Sequence, residues 1–306
     1  MQVHFIHPGH SYLPELEAYA AHLRPWGHEA RTHQNASTVP ADARVVWWMC
    51  GRVHATDHQR FAQAFQVHEY ASASVPPFAW AKDQIKRWTQ PKPDYRLFQN
   101  EWVRQRLGFA DDVPWEFREM GVSSTFLTPP TIQGAAEFDM VYLGDMVRLQ
   151  HFLPVFEGLE QAGMRTLLIG SMPAPLQRQF QAFTHITLTG KVPHHEVPAQ
   201  LRRARCALNL VPDRLPYSEQ TSTKLLEYCA IGLPVISTNY RWVRNFAASN
   251  KAAIAYLPAQ ASASAYADFF RETRDMASAP SPHMEGWAWP HTLARLNIWK
   301  AAGLAP

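Results

Sequence analysis

The chain has 306 residues, of which 46% are hydrophobic and 18% charged, and its 29 basic and 26 acidic side chains leave a net charge of +3. That length has room for about two domains, and so mild a charge gives no support to a nucleic-acid-binding protein. No apolar run approaches a membrane span, and the N-terminus shows no secretory signal pattern. A chain of this length needs no disulfide scaffold, and Cys50, Cys206 and Cys229 lack CxxC spacing, so a reduced, cytoplasmic protein is predicted.

The first 50 residues alternate between strand and helix patterns. MQVHFIHPG reads as a buried strand, LPELEAYAAHLRPWG as a helix that ends at Gly27, and EARTHQ and RVVWWMC as two further strands. This alternation predicts a parallel sheet covered by helices on both faces. Gly9 directly follows the first strand, where an open α/β sheet places its ligand. We therefore predict that Gly9 contacts a ligand; an ordinary turn glycine is the alternative.

The segment from Phe61 to Gly121 is rich in aromatic and charged residues. QVHEYASAS reads as a short apolar strand followed by polar residues, and Pro76 and Pro77 then break the structure before amphipathic helices and a short strand, YRLF. Basic residues cluster in Lys82–Lys92. Such a cluster is typical of a solvated face, and contact with an anionic membrane surface or a phosphate is the alternative.

FLTPPTIQGAAEF, with its two prolines and a glycine, predicts a domain boundary. The predicted division is an N-terminal domain over 1–130, a C-terminal domain over 137–285, and a terminal helix over 286–306 that packs toward the first domain. After the boundary the alternation resumes with the strands DMVYLGD, MRTLLIGS, HITLTG, CALNLVP and LPVIST, separated by helical segments. No GxGxxG follows the first strand of the chain and no GxxxxGK[ST] occurs anywhere in the sequence, so a dinucleotide oxidoreductase and a P-loop NTPase lose their main support.

The segment SEQTSTKLLEYCAIGLPVIST places a lysine at the start of a helix. Thr221 or Ser222 can cap this helix, while Gly232 ends it and Pro234 follows. Lys224 then lies in the first turn, where the helix dipole disfavours a cation unless an anion sits beside it. The free N–H groups and the ammonium together favour a bound phosphate.

Two glutamates accompany this lysine. Glu227 lies three residues after Lys224 on roughly the same helix face, and Glu219 precedes the helix, which gives the spacing E-x7-E. A carboxylate only accepts hydrogen bonds, so it suits the hydroxyls of a ribose or another sugar. Together these residues predict a nucleotide-sugar site. The alternative is an ordinary surface pair between Lys224 and Glu227, although the order Lys before Glu is the poorer one for such a pair.

The segment resembles the donor-nucleotide motif of GT-B glycosyltransferases, especially the broad group with an E-x7-E signature (family 4-like) and its capsule and exopolysaccharide relatives. HPGHSYLPELEAYAAHLRPWGHEA and VYLGDMVR resemble the first strand–loop–helix and the opening strand of the second domain in that group. The resemblance implies an α/β fold of two Rossmann-like domains facing a cleft, with the C-terminal helix crossing back to the first. It further implies that Lys224 contacts the donor diphosphate, Glu227 the ribose and Glu219 the transferred sugar.

The chain departs from this family's pattern in two places. Where the family has Gly-Arg and then a lysine after the first strand of the second domain, this chain has Gly144, Asp145 and then Arg148. Arg148 is expected to supply the missing positive charge. QTST replaces the usual glycine-rich context after the first glutamate, so the role of Glu219 stays open.

The resemblance also implies that a histidine after a first-domain strand approaches the donor sugar, and His68 matches by position. Glu69 could accept the acceptor proton if the reaction inverts the anomeric carbon. The alternatives are a core or turn histidine and a structural carboxylate. The predicted catalytic residues are His68, Glu69 and Lys224, and the predicted donor-binding residues are Gly9, Arg148, Glu219, Ser222, Thr223, Lys224 and Glu227.

No cofactor or metal is expected. His194, His195 and Glu196 form no HExxH motif, and a donor site built from a helix N-terminus and a lysine needs no divalent ion. The predicted function is metal-independent transfer of a sugar, of hexosyl type, from a nucleoside diphosphate such as UDP to a hydroxyl in bacterial surface polysaccharide or glycolipid synthesis. The expected partners are the donor and a saccharide or lipid-linked acceptor, with peripheral contact at the inner membrane face. A nucleotide-sugar epimerase and a catalytically silent nucleotide-binding subunit are the alternatives.

Overall fold

A computed structural model describes residues 1–9, 13–49, 51–128, 136–274 and 282–306. These residues form two compact units, Met1–Ser123 with Gly286–Pro306, and Ser124–Glu285. Cys50 and most of the predicted boundary segment lie outside the described residues. Within the described ranges, no helix combines the length and the apolar character that crossing a bilayer requires.

The first unit is built on a parallel sheet in the order β2-β1-β3-β4-β5-β6. Its strands are β1 (Gln2–Ile6), β2 (Glu29–His33), β3 (Val45–Met49), β4 (Phe65–Tyr70), β5 (Tyr95–Phe98) and β6 (Trp115–Phe117). Its first helices are α1 (Pro14–Leu23), α2 (Ala55–Arg60), α3 (Ala79–Thr89) and α4 (Glu101–Leu107). The predicted strand, helix, strand, strand order is confirmed. Every residue of β3 is buried, as expected for a strand covered on both faces.

The second unit contains another parallel sheet, in the order β12-β11-β10-β7-β8-β9. Its strands are β7 (Phe138–Leu143), β8 (Thr166–Ile169), β9 (Ile186–Gly190), β10 (Ala204–Asn209), β11 (Val235–Ser237) and β12 (Ile254–Tyr256). Its helices are α5 (Ser124–Leu127), α6 (Leu153–Gln161), α7 (Ala174–Phe180), α8 (Val197–Leu201), α9 (Thr223–Ala230), α10 (Arg241–Asn250) and α11 (Ala263–Thr273). The predicted strands β7 to β11 are confirmed, whereas the sequence analysis missed α10, β12 and α11.

The strand order of the second unit identifies where a ligand belongs. From β7 the chain proceeds to β8 and β9 on one side, and from β10 to β11 and β12 on the other. The carboxyl ends of β7 and β10 therefore form the topological switch point, which is the usual ligand crevice of an open α/β sheet. Helix α9 begins after β10, so its first turn lies at this edge.

The C-terminal segment belongs to the first unit and forms two short helices, α12 (Trp289–Ala294) and α13 (Ile298–Ala301). The prediction of one continuous terminal helix is wrong. Between the two helices, the N–H groups of Asn297 and Ile298 donate to the Glu116 carboxylate at 2.9 and 2.8 Å. These bonds to a β6 side chain replace intrahelical bonds, so the first helix ends and the second begins there.

Candidate functional site

The N-terminus of α9 is capped as predicted by Ser222. Its hydroxyl oxygen accepts a hydrogen bond from the Leu225 N–H at 3.3 Å. The N–H groups of Thr223 and Lys224 find no acceptor among the described residues. Two donors of the first turn are thus left for a ligand, together with the positive end of the helix dipole.

A buried hydrogen-bond network holds this cap against the sheet. Asn209, the last residue of β10, accepts from the Ser222 hydroxyl at 2.7 Å and donates to Ser237 Oγ at 2.9 Å and Tyr240 Oη at 3.1 Å. The Ser222 hydroxyl hydrogen is therefore already used. Ser222 contributes to the site by orienting the helix start rather than by offering a free hydroxyl.

The Lys224 ammonium lies at the end of β7. A Cβ atom on Gly144 would come within 2.9 Å of Lys224 Nζ, and Nζ lies 5.2 Å from the centre of the Tyr142 ring. No described residue forms a hydrogen bond or an ion pair with this ammonium. A partly buried cation without a partner at a helix N-terminus violates two local preferences at once, which is typical of a binding site.

The pKa of Lys224 is lowered from 10.5 to about 8. Burial is the main cause, and the Arg148 guanidinium lowers the pKa further, while Asp145 and Glu227 partly oppose the shift. The amine is thus mostly protonated at pH 7 but easily deprotonated. A bound anion would stabilise its charged form.

Two glycines give Lys224 its space. Gly144 has φ +124° and Gly170, after β8, has φ +147°, both in the range that favours glycine. A Cβ on Gly170 would lie 2.4 Å from the Gly144 carbonyl oxygen, and one on Gly144 would lie 2.6 Å from Lys224 Cε. Gly170 therefore lets the Gly144 backbone approach it closely, and Gly144 in turn leaves room for the Lys224 side chain.

Replacing Gly144 with alanine is expected to weaken nucleoside diphosphate binding tenfold or more, because the new methyl group displaces the Lys224 side chain. The strained φ should also cost about 1–3 kcal/mol of unfolding free energy. Calorimetric titration and urea unfolding measure the two effects. Gly163→Ala is the matched control, since Gly163 has φ +65° but open space around it. Equal affinities of the Gly144 variant and the wild type would contradict the assignment.

Arg148 lies beside this cation. Its Nε is 3.8 Å from Asp145 Oδ2, and its guanidinium carbon is 5.2 Å from the centre of the Tyr217 ring. Arg214 approaches the same ring at 5.8 Å. The loop between β10 and α9 thus places an aromatic ring near two guanidinium groups, and Arg148 remains partly exposed beside Lys224.

Glu227 contacts a residue that the sequence analysis did not assign to the site. Its Oε1 lies 2.9 Å from His194 Nε2, and both side chains are partly buried. His194 follows β9 in a short 3-10 turn, His194–Glu196. Its position after a strand, at the same sheet edge as the other site residues, is the signal that could have indicated it. No described residue donates to Glu227 Oε2, so that oxygen remains available to a hydroxyl.

Glu219 is bound by another cation. Its Oε1 accepts from Arg241 Nη1 at 3.1 Å, and Arg241 is the first residue of α10. Glu219 lies in the short 3-10 turn Tyr217–Glu219, ahead of α9. The structure therefore brings Ser222, Thr223, Lys224, Glu227 and Arg148 together at one edge of the second sheet, with Glu219 on the adjoining loop.

The three remaining predicted residues lie in the first unit. Gly9 follows β1 near the switch point between β1 and β3, where the chain continues into residues 10–12, which are outside the described ranges. A Cβ on Gly9 would lie 2.8 Å from His7 Cε1. The expectation that Gly9 binds a ligand stays a prediction.

The prediction that His68 follows its strand is wrong, because His68 lies inside β4 and is fully buried. Its Nδ1 is 3.2 Å from Tyr70 Oη, and its ring packs edge-on against Trp48 and His58. Burial, together with the positive charges of His58 and Arg96, holds its pKa well below the usual value. His68 is therefore neutral at pH 7. Its buried surroundings are those of a core histidine, which was the alternative to a catalytic role.

Glu69 also lies inside β4 rather than after it. Its carboxylate accepts from Arg118 Nη2, from Tyr19 Oη at 2.9 Å and from Trp47 Nε1 at 2.7 Å, and all four side chains are buried. Arg118 also reaches Glu15 Oε1 at 3.4 Å. Saturated by three donors, the Glu69 carboxylate is poorly suited to accept a proton from a substrate.

A known protein-family model matches most of the second unit. Residues 137–272 match the family model described as glycosyl transferases group 1, which is somewhat less than half of the chain. No curated protein sequence matches the chain at a significant level.

Solved glycosyltransferase structures share the fold over nearly the whole chain. One from Rickettsia africae ESF-5 aligns with a TM-score of 0.71 at 12% identity, covering 99% of this chain and 98% of that one. AviGT4, a glycosyltransferase involved in avilamycin A biosynthesis, aligns with a TM-score of 0.63 at 13% identity, covering 99% of this chain and 97% of that one. Anabaena Alr3699/HepE in complex with UDP and glucose aligns with a TM-score of 0.64 at 8% identity, covering 99% of this chain and 97% of that one. At these identities the likeness shows the fold, and the predicted α/β GT-B class is confirmed.

Proposed function

We propose that this protein is a glycosyltransferase that moves a sugar from a nucleoside diphosphate donor to a hydroxyl. The observation that carries the proposal is the Lys224 ammonium at the switch point of the second sheet, which has no hydrogen-bond or ion-pair partner among the described residues and lies beside the N–H groups that begin α9. The family model matched by residues 137–272 and the GT-B fold support it.

The proposed mechanism depends on electrostatic stabilisation of the leaving group. When the bond between sugar and diphosphate breaks, negative charge develops on the diphosphate, and preorganised donors oppose that charge without reorganising. Lys224, the first turn of α9 and Arg148 are the groups that would do so. We propose that Glu227 binds ribose hydroxyls and that Glu219, held by Arg241, faces the transferred sugar.

We propose that the transfer needs no divalent ion, because Lys224 and Arg148 would themselves oppose the negative charge of the diphosphate. UDP is the first nucleotide to test, since the Anabaena HepE structure contains UDP. We propose a hexose as the transferred sugar, and a saccharide or lipid-linked saccharide of a bacterial surface glycan as the acceptor. His68 and Glu69 are left out of the mechanism because both side chains are buried in the first unit.

Nucleotide release from a panel of nucleoside diphosphate sugars, with and without acceptors, tests the proposal. Release that requires an acceptor is the expected result. Conversion of the sugar without an acceptor would indicate an epimerase instead, and binding without turnover a silent subunit. Failure of every nucleoside diphosphate to bind would contradict the proposed site itself.

Binding of UDP is expected to weaken as the pH rises above about 8, because the diphosphate binds the protonated form of Lys224. The dissociation constant should stay nearly constant between about pH 7 and 7.5 and then approach a tenfold increase per pH unit. The other charged groups around the ammonium are Arg148, Asp145 and Glu227. Calorimetric titrations at several pH values measure the profile.

Lys224→Arg is the matched variant for this experiment, since arginine keeps its charge at every pH used. It is expected to bind UDP with a flat profile over the same range. A wild-type profile that is equally flat would show that the Lys224 ammonium does not face the diphosphate.

A further inference from the structure

Helix α3 of the first unit exposes its apolar side chains instead of burying them. Trp80 is 63% exposed, Ile85 49% and Trp88 77%, and Phe78, just before the helix, is 79% exposed. At about 100° per residue, Trp88 lies roughly 80° and Ile85 roughly 140° around the helix axis from Trp80, so the three exposed side chains are spread over an arc of somewhat less than half of the helix surface. We call these four side chains with Lys82 and Arg87 the α3 face.

The buried side of α3 is held by polar contacts. Asp83 is the buried residue of this helix, and its carboxylate accepts from the Ser74 N–H and from Arg106 Nε, both at 2.9 Å. The helix is therefore anchored to the unit by a buried aspartate rather than by its tryptophans. Folding leaves several large apolar side chains exposed close together, which is typical of an interaction site.

The charge around these side chains has one sign. The segment from Ser74 to Pro93 contains four basic residues, Lys82, Lys86, Arg87 and Lys92, and one acidic residue, the ion-paired Asp83. Lys82, Arg87 and Lys92 are exposed. A partner for this surface must therefore accept tryptophans and carry negative charge.

We propose that the α3 face docks on an anionic lipid surface. Tryptophan prefers the interface between headgroups and acyl chains, and basic residues beside it are attracted by anionic headgroups. A second copy of this chain fits less well, because a symmetric contact would set the same positive charges against one another. This proposal does not depend on the proposed function, since α3 and the donor-site residues lie in different units.

Sedimentation with vesicles tests the proposal, using phosphatidylcholine alone and phosphatidylcholine mixed with phosphatidylglycerol. The wild-type protein is expected to bind the mixed vesicles and to dissociate as salt is added. Trp80→Ala/Trp88→Ala should lower the partition coefficient about tenfold or more, because the interfacial apolar area is lost. Lys82→Glu/Arg87→Glu should lower it about 25-fold, since each basic residue near the surface contributes roughly fivefold.

Two control variants match these changes elsewhere in the chain. Trp115→Ala removes a tryptophan on β6 that is 43% exposed, and Arg178→Glu/Arg295→Glu reverses two exposed charges outside α3. Both controls should partition like the wild type or within about threefold of it. Thermal unfolding verifies that each variant is folded, and UDP titration of the same proteins reports on the donor site separately.

Three results would overturn the proposal: no binding to the mixed vesicles, unchanged binding of both α3 variants, or equal losses in the controls. Analytical ultracentrifugation adds a fourth. If the wild type forms a dimer that Trp80→Ala/Trp88→Ala abolishes, and vesicles are not bound, the α3 face is an interface between copies of this chain.

Discussion

Replacing Lys224 with methionine is expected to raise the melting temperature of the unliganded protein while abolishing its response to UDP. Within the described residues the partly buried ammonium has no hydrogen-bond or ion-pair partner, and its pKa, lowered to about 8 mainly by burial, indicates that the fold disfavours its charge. Methionine keeps most of the side-chain length without the charge. A gain of about 1–2 kcal/mol follows, or roughly 2–8 °C for a unit of this size.

The pH dependence of this gain provides a second check. The pKa of Lys224 is lower in the folded protein than in the unfolded chain, so the wild type becomes more stable as the pH rises from about 8 toward the unfolded value. The advantage of the methionine variant is therefore largest below pH 8 and shrinks above it. Differential scanning calorimetry at several pH values, with and without UDP, measures both effects.

Loss of transfer activity in the same variant should be about 100-fold or more, the usual effect of removing one group that stabilises developing charge. Lys251→Met is the matched control, because Lys251 is an exposed lysine of the same unit. It should leave the UDP response unchanged. If Lys224→Met bound UDP as tightly as the wild type, the proposed donor site would be refuted.

Replacing Arg118 with methionine is expected to destabilise the first unit by about 3–5 kcal/mol. Arg118 lies buried in contact with the carboxylates of Glu69 and Glu15, and Glu15 Oε2 has no hydrogen-bond partner in the part of the chain that the structure describes. Removing the cation leaves two buried negative charges unpaired. Urea unfolding followed by tryptophan fluorescence measures the loss.

The loss should be smaller at pH 5 than at pH 7. Burial raises the pKa of Glu15 although Arg118 opposes the shift, and removing Arg118 raises it further. A carboxyl group with a raised folded-state pKa regains stability as the pH falls through that pKa. The triple variant Arg118→Met/Glu15→Gln/Glu69→Gln should recover part of the loss, because the unpaired charges are then absent.

Arg31→Met is the control for this prediction. Arg31 forms an exposed pair with Glu29 at 2.7 Å, and such a pair contributes only about 0–1 kcal/mol. A similar small loss for Arg118→Met would show that the buried cluster is not electrostatically important.

The position of Lys224 was predictable because every signal for it is local. The cap at Ser222, the first turn of α9 and the left-handed Gly232 at its end are all set by residues within about ten positions of one another. The strand and helix patterns of the second unit are equally local. The apolar runs of β7, β8 and β10 therefore indicated a parallel sheet before its strand order was known.

The surroundings of that lysine were not predictable in the same way. Gly144 comes beside Lys224 only because β7 and β10 are neighbours in the sheet. His194 comes within hydrogen-bond distance of Glu227 although 33 positions separate them. No pattern of spacing in the sequence indicates such pairs.

The alternation of strands with helices, and the lysine in the first turn of a helix, follow from the amino-acid sequence alone, since periodicity and capping act within a few turns. Which side chains are buried depends on the tertiary structure. Glu69 became a structural carboxylate because Arg118, 49 positions later, lies against it. The tryptophans of α3 remained exposed because that helix is anchored through the buried Asp83, whose carboxylate accepts from Arg106 Nε. Both outcomes depend on contacts between distant segments, which form only when the sheet order brings those segments together.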